Sequence, residues 1–190
     1  MFVKPGVLRR QDMKVTIITG SPHKKGTSAL LADEFIRGAQ EAGWDTFRFD
    51  SAFEKVAPCL GCDRCGIGAA PCVQKDGMRK LTPELLTSQA VALVTPLYYF
   101  GFSAQIKTVI DRLYANSYKL TGGKKVFLMA TAYDSNDWTM QALTAHYETL
   151  ARYMRWQDSG RVLAVGCGAR PDIECSRFPQ EAYQIGLSLK

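Results

Sequence analysis

Short apolar runs that alternate with segments of helical period constrain this chain more than any other feature. Val15 to Thr19 (VTIIT) is rich in β-branched residues and stops at Gly20-Ser21-Pro22, where a loop opens. Leu31, Phe35, Ala39 and Ala42 then recur at steps of four, four and three, one buried helical face that Gly43 ends. Thr46 to Phe49 reads as a short second strand, and Ala90 to Thr95 (AVALVT) as a third, apolar throughout and stopped by Pro96. Such a run suits a strand covered on both faces. Thr82-Pro83-Glu84 has the order of N-cap, first-turn proline and early acid, so a short helix is predicted from there to about Ser88. Ile106, Val109, Ile110 and Leu113 mark another helix, with Lys107, Asp111 and Arg112 on its wet face. Lys125 to Thr131 (KVFLMAT) is a fourth strand, and Leu143, Tyr147, Leu150 and Met154 share one side of the helix after it. Arg161 to Val165 is the fifth strand and Pro179 to Leu187 a closing helix. The expected architecture is α/β: a three-layer sandwich around a five-stranded parallel sheet, joined by right-handed crossovers.

A chain of 190 residues, 46% hydrophobic and 22% charged, is long enough for one core and far from disordered compositions. The expected division is a flexible N-terminal extension over residues 1–12, which lack periodicity and precede Met13, and one domain over 13–190. The formal charge of +6 comes from scattered Lys and Arg with no run of five, which argues against a nucleic-acid partner. No apolar run approaches the roughly 20 residues of a membrane-spanning helix. The N-terminus also lacks the apolar stretch of an export signal, so a cytoplasmic protein with no membrane partner is expected.

In open parallel sheets, ligands sit beyond the carboxyl ends of the strands where strand order reverses, which singles out the segments after Thr19, Thr95 and Thr131. Gly20 to Ser28 (GSPHKKGTS) joins the first strand to the first helix. Unpaired N–H groups and the positive end of the helix dipole suit a phosphate there. Ser21, Thr27 and Ser28 add hydroxyls, and His23 a charged donor when protonated. The same residues also fit a plainer reading, in which Thr27 or Ser28 caps the helix and Lys24 and Lys25 are solvated. Pro96-Leu97-Tyr98-Tyr99-Phe100-Gly101 puts three aromatics in a row, costly to expose unless a flat group, a helix or a partner subunit covers them.

Together GSPHKKGTSALL (Gly20 to Leu31) and PLYYFGFSAQIKTVIDR (Pro96 to Arg112) resemble the NADPH-dependent FMN reductase and iron-sulfur flavoprotein branch of the flavodoxin-like superfamily. The resemblance covers roughly residues 13 to 135. It implies a flavodoxin-like fold that holds FMN non-covalently, with Ser21, His23, Thr27 and Ser28 on the phosphate and Gly26 permitting close approach. Pro96, Leu97, Tyr98, Tyr99, Phe100 and Gly101 would line the ring, and Thr131 and Ala132 would meet its pyrimidine side. His23 stands where arginine is common and Thr27 where asparagine is common, which implies weaker or pH-sensitive phosphate binding. The implied activity is NAD(P)H oxidation through FMN to a quinone, azo, nitro, flavin or protein acceptor, with no side chain serving as acid or base. A homodimer or homotetramer is the implied assembly. The alternative is an electron carrier of flavodoxin or iron-sulfur flavoprotein type, without a small-molecule substrate of its own.

Cys59, Cys62, Cys65 and Cys72 stand within fourteen residues. Three thiolates at two-residue gaps can wrap one face of a cubane and a fourth can close it, whereas zinc more often takes two separated pairs. Members of the resembled family bind a 4Fe–4S cluster through such a motif, and others keep similar cysteines without one. A cluster near the flavin, free thiols, a disulfide and a zinc site therefore all stand as readings of this loop. Cys167 and Cys175 fall outside the spacing and read as buried or incidental thiols. His23 and His146 are the two histidines, too few to support a Cys/His or Ser/His triad.

Overall fold

In the computed structural model residues 13–189 are described, and the extension expected over residues 1–12 lies outside them. The strands are β1 (Lys14–Thr19), β2 (Asp45–Asp50), β3 (Ala90–Tyr98), the two-residue β4 (Gly101–Phe102), β5 (Lys125–Thr131) and β6 (Gln157–Ala164). Five of them run parallel in the order β2-β1-β3-β5-β6, and β4 folds back antiparallel on the end of β3. That is the flavodoxin-like order, with the reversal between β1 and β3. The helices are α1 (Thr27–Glu41), α2 (Met78–Thr87), α3 (Ala104–Arg112), α4 (Ser117–Leu120), α5 (Gln141–Met154), α6 (Arg170–Glu174) and α7 (Phe178–Leu187). Among the described residues no helix is long and apolar enough to cross a membrane.

The alternation of strand side chains sorts the core into two layers. Val15 and Ile17, with Ala92, Val94, Phe127, Met129 and Val162, pack against Leu31, Phe35 and Ala39 of α1, Ile173 of α6 and Ala182 of α7. Ile18, Leu93, Leu128 and Ala130 face the other way, onto Leu81 and Leu85 of α2, Ile106 and Val109 of α3, and Leu143 and Tyr147 of α5. Helices α1 and α7 meet backbone to backbone. A Cβ at Gly38 would stand 2.2 Å from the Tyr183 carbonyl oxygen, and one at Gly186 would stand 2.2 Å from that of Phe35.

Several boundaries differ from the sequence expectation, each for a local reason. Helix α2 begins at Met78, ahead of Thr82, because Asp76 accepts the Met78 N–H (3.1 Å) and starts the first turn; Pro83 lies inside the helix. Strand β3 continues through Pro96 to Tyr98. β1 ends at Thr19 opposite Val94, so from Thr95 onward β3 is an edge on that side, where proline is tolerated. β6 starts at Gln157 and accommodates a bulge opposite Val126 and Phe127, and α6 was not foreseen. Arg112 is not on a wet face: it is buried, 2% exposed, under the cysteine loop.

The α1–α7 approach gives a direct test. Gly186→Ala forces the two helices apart and should cost about 1–3 kcal/mol, read as a lower urea midpoint with the m-value retained. A midpoint equal to that of the wild type would mean that the helices separate freely.

Candidate functional site

The loop after β1 is tied into the switch point. The Gly20 N–H donates to the Val94 carbonyl (2.8 Å), Ser103 Oγ donates to the Gly20 carbonyl (2.7 Å), and the Ser103 N–H donates to Thr95 Oγ1 (3.1 Å). These bonds hold the ends of β1 and β3 and the start of α3 together. Inside the loop the His23 N–H donates to Ser21 Oγ (3.1 Å) and the Gly26 N–H to the His23 carbonyl (3.0 Å).

Helix α1 then starts without a side-chain cap, because its N-cap is Gly26. Thr27 Oγ1 donates instead to Thr131 Oγ1 across the crevice (3.0 Å). Ser28 is 2% exposed and its Oγ has no hydrogen-bond partner. The capping reading therefore fails: neither hydroxyl caps the helix, and its first-turn N–H groups are left facing the crevice. A buried hydroxyl without a partner costs roughly 1–3 kcal/mol, and Ser28 lies behind the cleft rather than among the residues lining it.

Ser21, His23, Gly26, Thr27, Pro96, Tyr98 and Thr131 line one cleft of about 360 Å³, together with Tyr133, Cys167, Gly168 and Arg170. A volume of this size is ordinary for cofactor sites. The other candidates lie around it. Ala132 is buried at the end of β5 with its N–H on the Ala164 carbonyl (2.8 Å), and Leu97 is packed against the core. Tyr98 pairs with Gly101 across the hairpin, Tyr99 is fully exposed at its tip, and Phe100 packs on Trp138 with ring centroids 5.1 Å apart.

The stretch after β6 was missed from sequence. It brings Arg170 over the loop after β1, where Nη1 donates to the carbonyls of Lys25 (3.3 Å) and Gly26 (3.5 Å). It also brings Gly168 under Tyr133, where a Cβ would lie 2.3 Å from the ring. Gly166-Cys167-Gly168 at a strand's carboxyl end was the available signal.

Tyr99 and Phe100 have φ of 44° and 63°. Positive φ at both central residues makes a type I′ hairpin turn, which favours Asn-Gly; bulky aromatics there cost roughly 1–2 kcal/mol each. The double substitution Tyr99→Asn, Phe100→Gly should therefore stabilise the protein by about 1–2 kcal/mol in urea unfolding. A loss of stability would mean that the two rings contribute more by packing than the turn costs.

The cysteine loop follows β2 along the same edge of the sheet. Cys59, Cys62, Cys65 and Cys72 line one cavity with Asp111, Arg112 and Tyr114. Among the described residues no three or more Cys, His, Asp or Glu are gathered closely enough to hold a single metal ion. The sulfurs are spread around a space rather than drawn to a point, and all six cysteines are free. Gly61, Asp63, Gly66, Ile67 and Gly68 have positive φ. The N–H groups of Gly66 and Gly68 are taken by the Asp63 and Cys65 carbonyls (2.9 and 3.0 Å), which tightens the turn. The Gly61 N–H donates to Cys59 Sγ at 3.5 Å. This cavity and the cleft lined by Ser21, Thr27 and Tyr98 share no lining residue and lie at opposite ends of α3.

Arg112 closes the neck of the loop. It binds both Asp76 oxygens (2.6 and 3.2 Å), the Ala57 carbonyl (2.7 Å) and Cys72 Sγ (3.4 Å). Burial alone would raise the Asp76 pKa, but the guanidinium and the N–H groups of Ala57 and Met78 outweigh it and hold the carboxyl below its ordinary 3.8. A depressed folded pKa gives stability that is complete above the unfolded value and lost as pH falls through the folded one. Stability should accordingly drop below about pH 4. Asp76→Asn should flatten that part of the acid limb and cost about 3 kcal/mol at neutral pH, because it leaves Arg112 buried and unpaired. An acid limb unchanged in the variant would place its origin elsewhere.

A parallel sheet ordered about a β1/β3 switch point, with an uncapped helix end and an aromatic hairpin on one cleft, defines a flavodoxin-like domain. The chain belongs to the NADPH-dependent FMN reductase family, whose model matches residues 13–169. It is 36% identical over 120 residues to an iron-sulfur flavoprotein of Archaeoglobus fulgidus, covering 62% of this chain and 60% of that one. A second such protein from the same organism is 35% identical over 101 residues, 53% of this chain and 46% of that one. The chain thus spans about half to three fifths of these curated relatives. Among solved structures, the NAD(P)H:quinone oxidoreductase from Methanothermobacter marburgensis superposes with a TM-score of 0.72 at 17% identity, over 94% of this chain and 96% of that one. An azoreductase from Bacillus anthracis gives 0.71 at 16%, over 93% and 99%. At such identities the likeness speaks to the fold.

Proposed function

We propose that this protein is an FMN-dependent oxidoreductase that takes electrons from NAD(P)H and delivers them to a quinone, azo, nitro, flavin or protein acceptor. The observation that carries the reading is the convergence of Ser21, Thr27 and Tyr98 on one cleft, above an uncapped helix and the unpartnered Ser28 hydroxyl. Ser21, Thr27, Ser28 and the first-turn N–H groups of α1 hold the phosphate, His23 lies beside it, and Gly26 lets the backbone approach. Arg170 adds a fixed positive charge to the same group. Pro96, Leu97, Tyr98, Tyr99, Phe100 and Gly101 form the shelf for the ring, Tyr133 stands across from them, and Thr131 and Ala132 border the ring's polar edge.

FMN when bound supplies the hydride and electron chemistry, and the chain supplies placement and a dry, oriented cleft. No side chain is assigned as acid or base. A second subunit covering the exposed Tyr99, Phe100 and Trp138 accounts for that aromatic surface, in keeping with a homodimer or homotetramer. Neither nucleic acid nor membrane is assigned as a partner.

A second reading has its own support. Four cysteines around one cavity, with the Gly61 N–H on the Cys59 sulfur, suit a 4Fe–4S cluster on Cys59, Cys62, Cys65 and Cys72, which would carry single electrons. In that case the protein acts chiefly as an electron carrier.

An absorbance spectrum with iron and sulfide assay on anaerobically purified protein addresses both readings, and steady-state NAD(P)H oxidation separates enzyme from carrier. Arg170→Gln should weaken FMN about tenfold in fluorescence titration, the scale of one hydrogen bond to a charged group. A protein that gains no flavin absorbance with added FMN would sink the first reading, and an unchanged Kd would remove Arg170 from it.

A further inference from the structure

Of the four cysteines around the loop cavity, Cys72 is the one within reach of a charged donor. Arg112 reaches it from the last turn of α3, with its side chain 1% exposed. One guanidinium does two separate things. Its fork on Asp76, with Nη1 also on the Ala57 carbonyl, ties the residue before the loop to the residue after it. The Ala57 N–H donates to Asp76 (3.1 Å) and the Gly77 N–H to the Lys55 carbonyl (2.9 Å), so the neck is closed from both sides. A carbonyl and a carboxylate would satisfy that task. The remaining Nη2 proton is directed at Cys72 Sγ, 3.4 Å away, and Nε is buried without any partner.

Leaving a buried guanidinium nitrogen unpaired is costly, and closing the neck does not by itself account for the N–H aimed at Cys72. Asp76 neutralises the net charge, so what reaches the sulfur is a directed N–H dipole rather than a free charge. Hydrogen bonds to cluster sulfurs are one of the determinants of Fe–S reduction potential. They favour the more electron-rich, reduced state.

We propose that Arg112 is the positioning residue of the cysteine site: it holds the neck of the loop shut through Asp76 and donates to the Cys72 sulfur, raising the reduction potential of a cluster bound there. The inference rests on the cluster reading of the loop.

The test uses anaerobically purified full-length protein, with iron and sulfide content measured first and the one-electron reduction by dithionite then followed by electron paramagnetic resonance. Two variants are compared. Arg112→Lys keeps the charge but cannot serve Asp76 and Cys72 together. The double substitution Arg112→Met, Asp76→Leu removes the pair without orphaning a charge and keeps the net charge, and it serves as the second variant if the lysine variant does not fold. Both should bind a cluster whose reduction is disfavoured about tenfold relative to wild type, a shift of about 59 mV to more negative potential. A role confined to closing the neck would lower cluster content and leave the potential of the remaining clusters where it was, and that result overturns the assignment. Wild-type protein with no iron or sulfide overturns the cluster reading and this inference together, whereas a loaded wild type with unmoved variants overturns this inference alone.

Discussion

The backbone-to-backbone approach of α1 and α7 fixes where the N-terminus of α1 points, and the candidate site is built out from that end. With carbonyl oxygens set against Gly38 and Gly186, no side chain lies between the helices to act as a cushion. Phe35, Leu31 and Ala39 press the opposite side of α1 onto the sheet. A helix held this firmly by packing does not need its cap, since tertiary burial outweighs the roughly 1 kcal/mol that a capping side chain contributes. Thr27 is thus free to reach Thr131, and Ser28 can sit buried with its hydroxyl unpaired. What would be a defect in an ordinary helix is here the feature on which the proposed phosphate seat rests.

Strain follows the same division between scaffold and site. Five non-glycine residues among those described have positive φ. One of them, Arg155, is an ordinary left-handed C-cap that ends α5. The other four are Tyr99 and Phe100 in the aromatic hairpin and Asp63 and Ile67 in the cysteine loop. Their neighbours hold them there. The pairing of Leu97 with Phe102 closes the hairpin, and the Cys65 carbonyl accepts the N–H groups of Gly68 and Ala70. Strain of this kind persists only where surrounding structure determines it, and in this chain it falls on the two segments richest in aromatic and thiol groups.

Two arginines illustrate how burial assigns roles that composition does not. Arg112 and Arg170 are two of 24 basic residues. By periodicity Arg112 belonged with Lys107 and Asp111, and those two do form an exposed ion pair. Arg112 differs because α3 ends beneath the loop that leads from β2 to α2, which covers the side of the helix that would otherwise be wet. For Arg170 the glycines at the end of β6 mark only a loop, and its placement depends on β6 returning to the same edge as β1 and on α6 turning back over Gly26.

The order of strands and crossover helices, both faces of the core, and the candidate loops after β1 and β3 were all legible in the residues. Each is encoded locally, in a period of two or 3.6 or in a run of neighbours at a strand end. Where the elements begin and stop was less so, because Asp76 starting α2 and a proline surviving on β3 depend on partners distant in sequence. Only the tertiary structure decided that Thr27 and Ser28 leave the helix uncapped, that Arg170 joins the cleft, and that Arg112 is buried against Cys72. Those outcomes arise from which groups the packed sheet brings within hydrogen-bond reach, and that proximity has no period for a sequence to display.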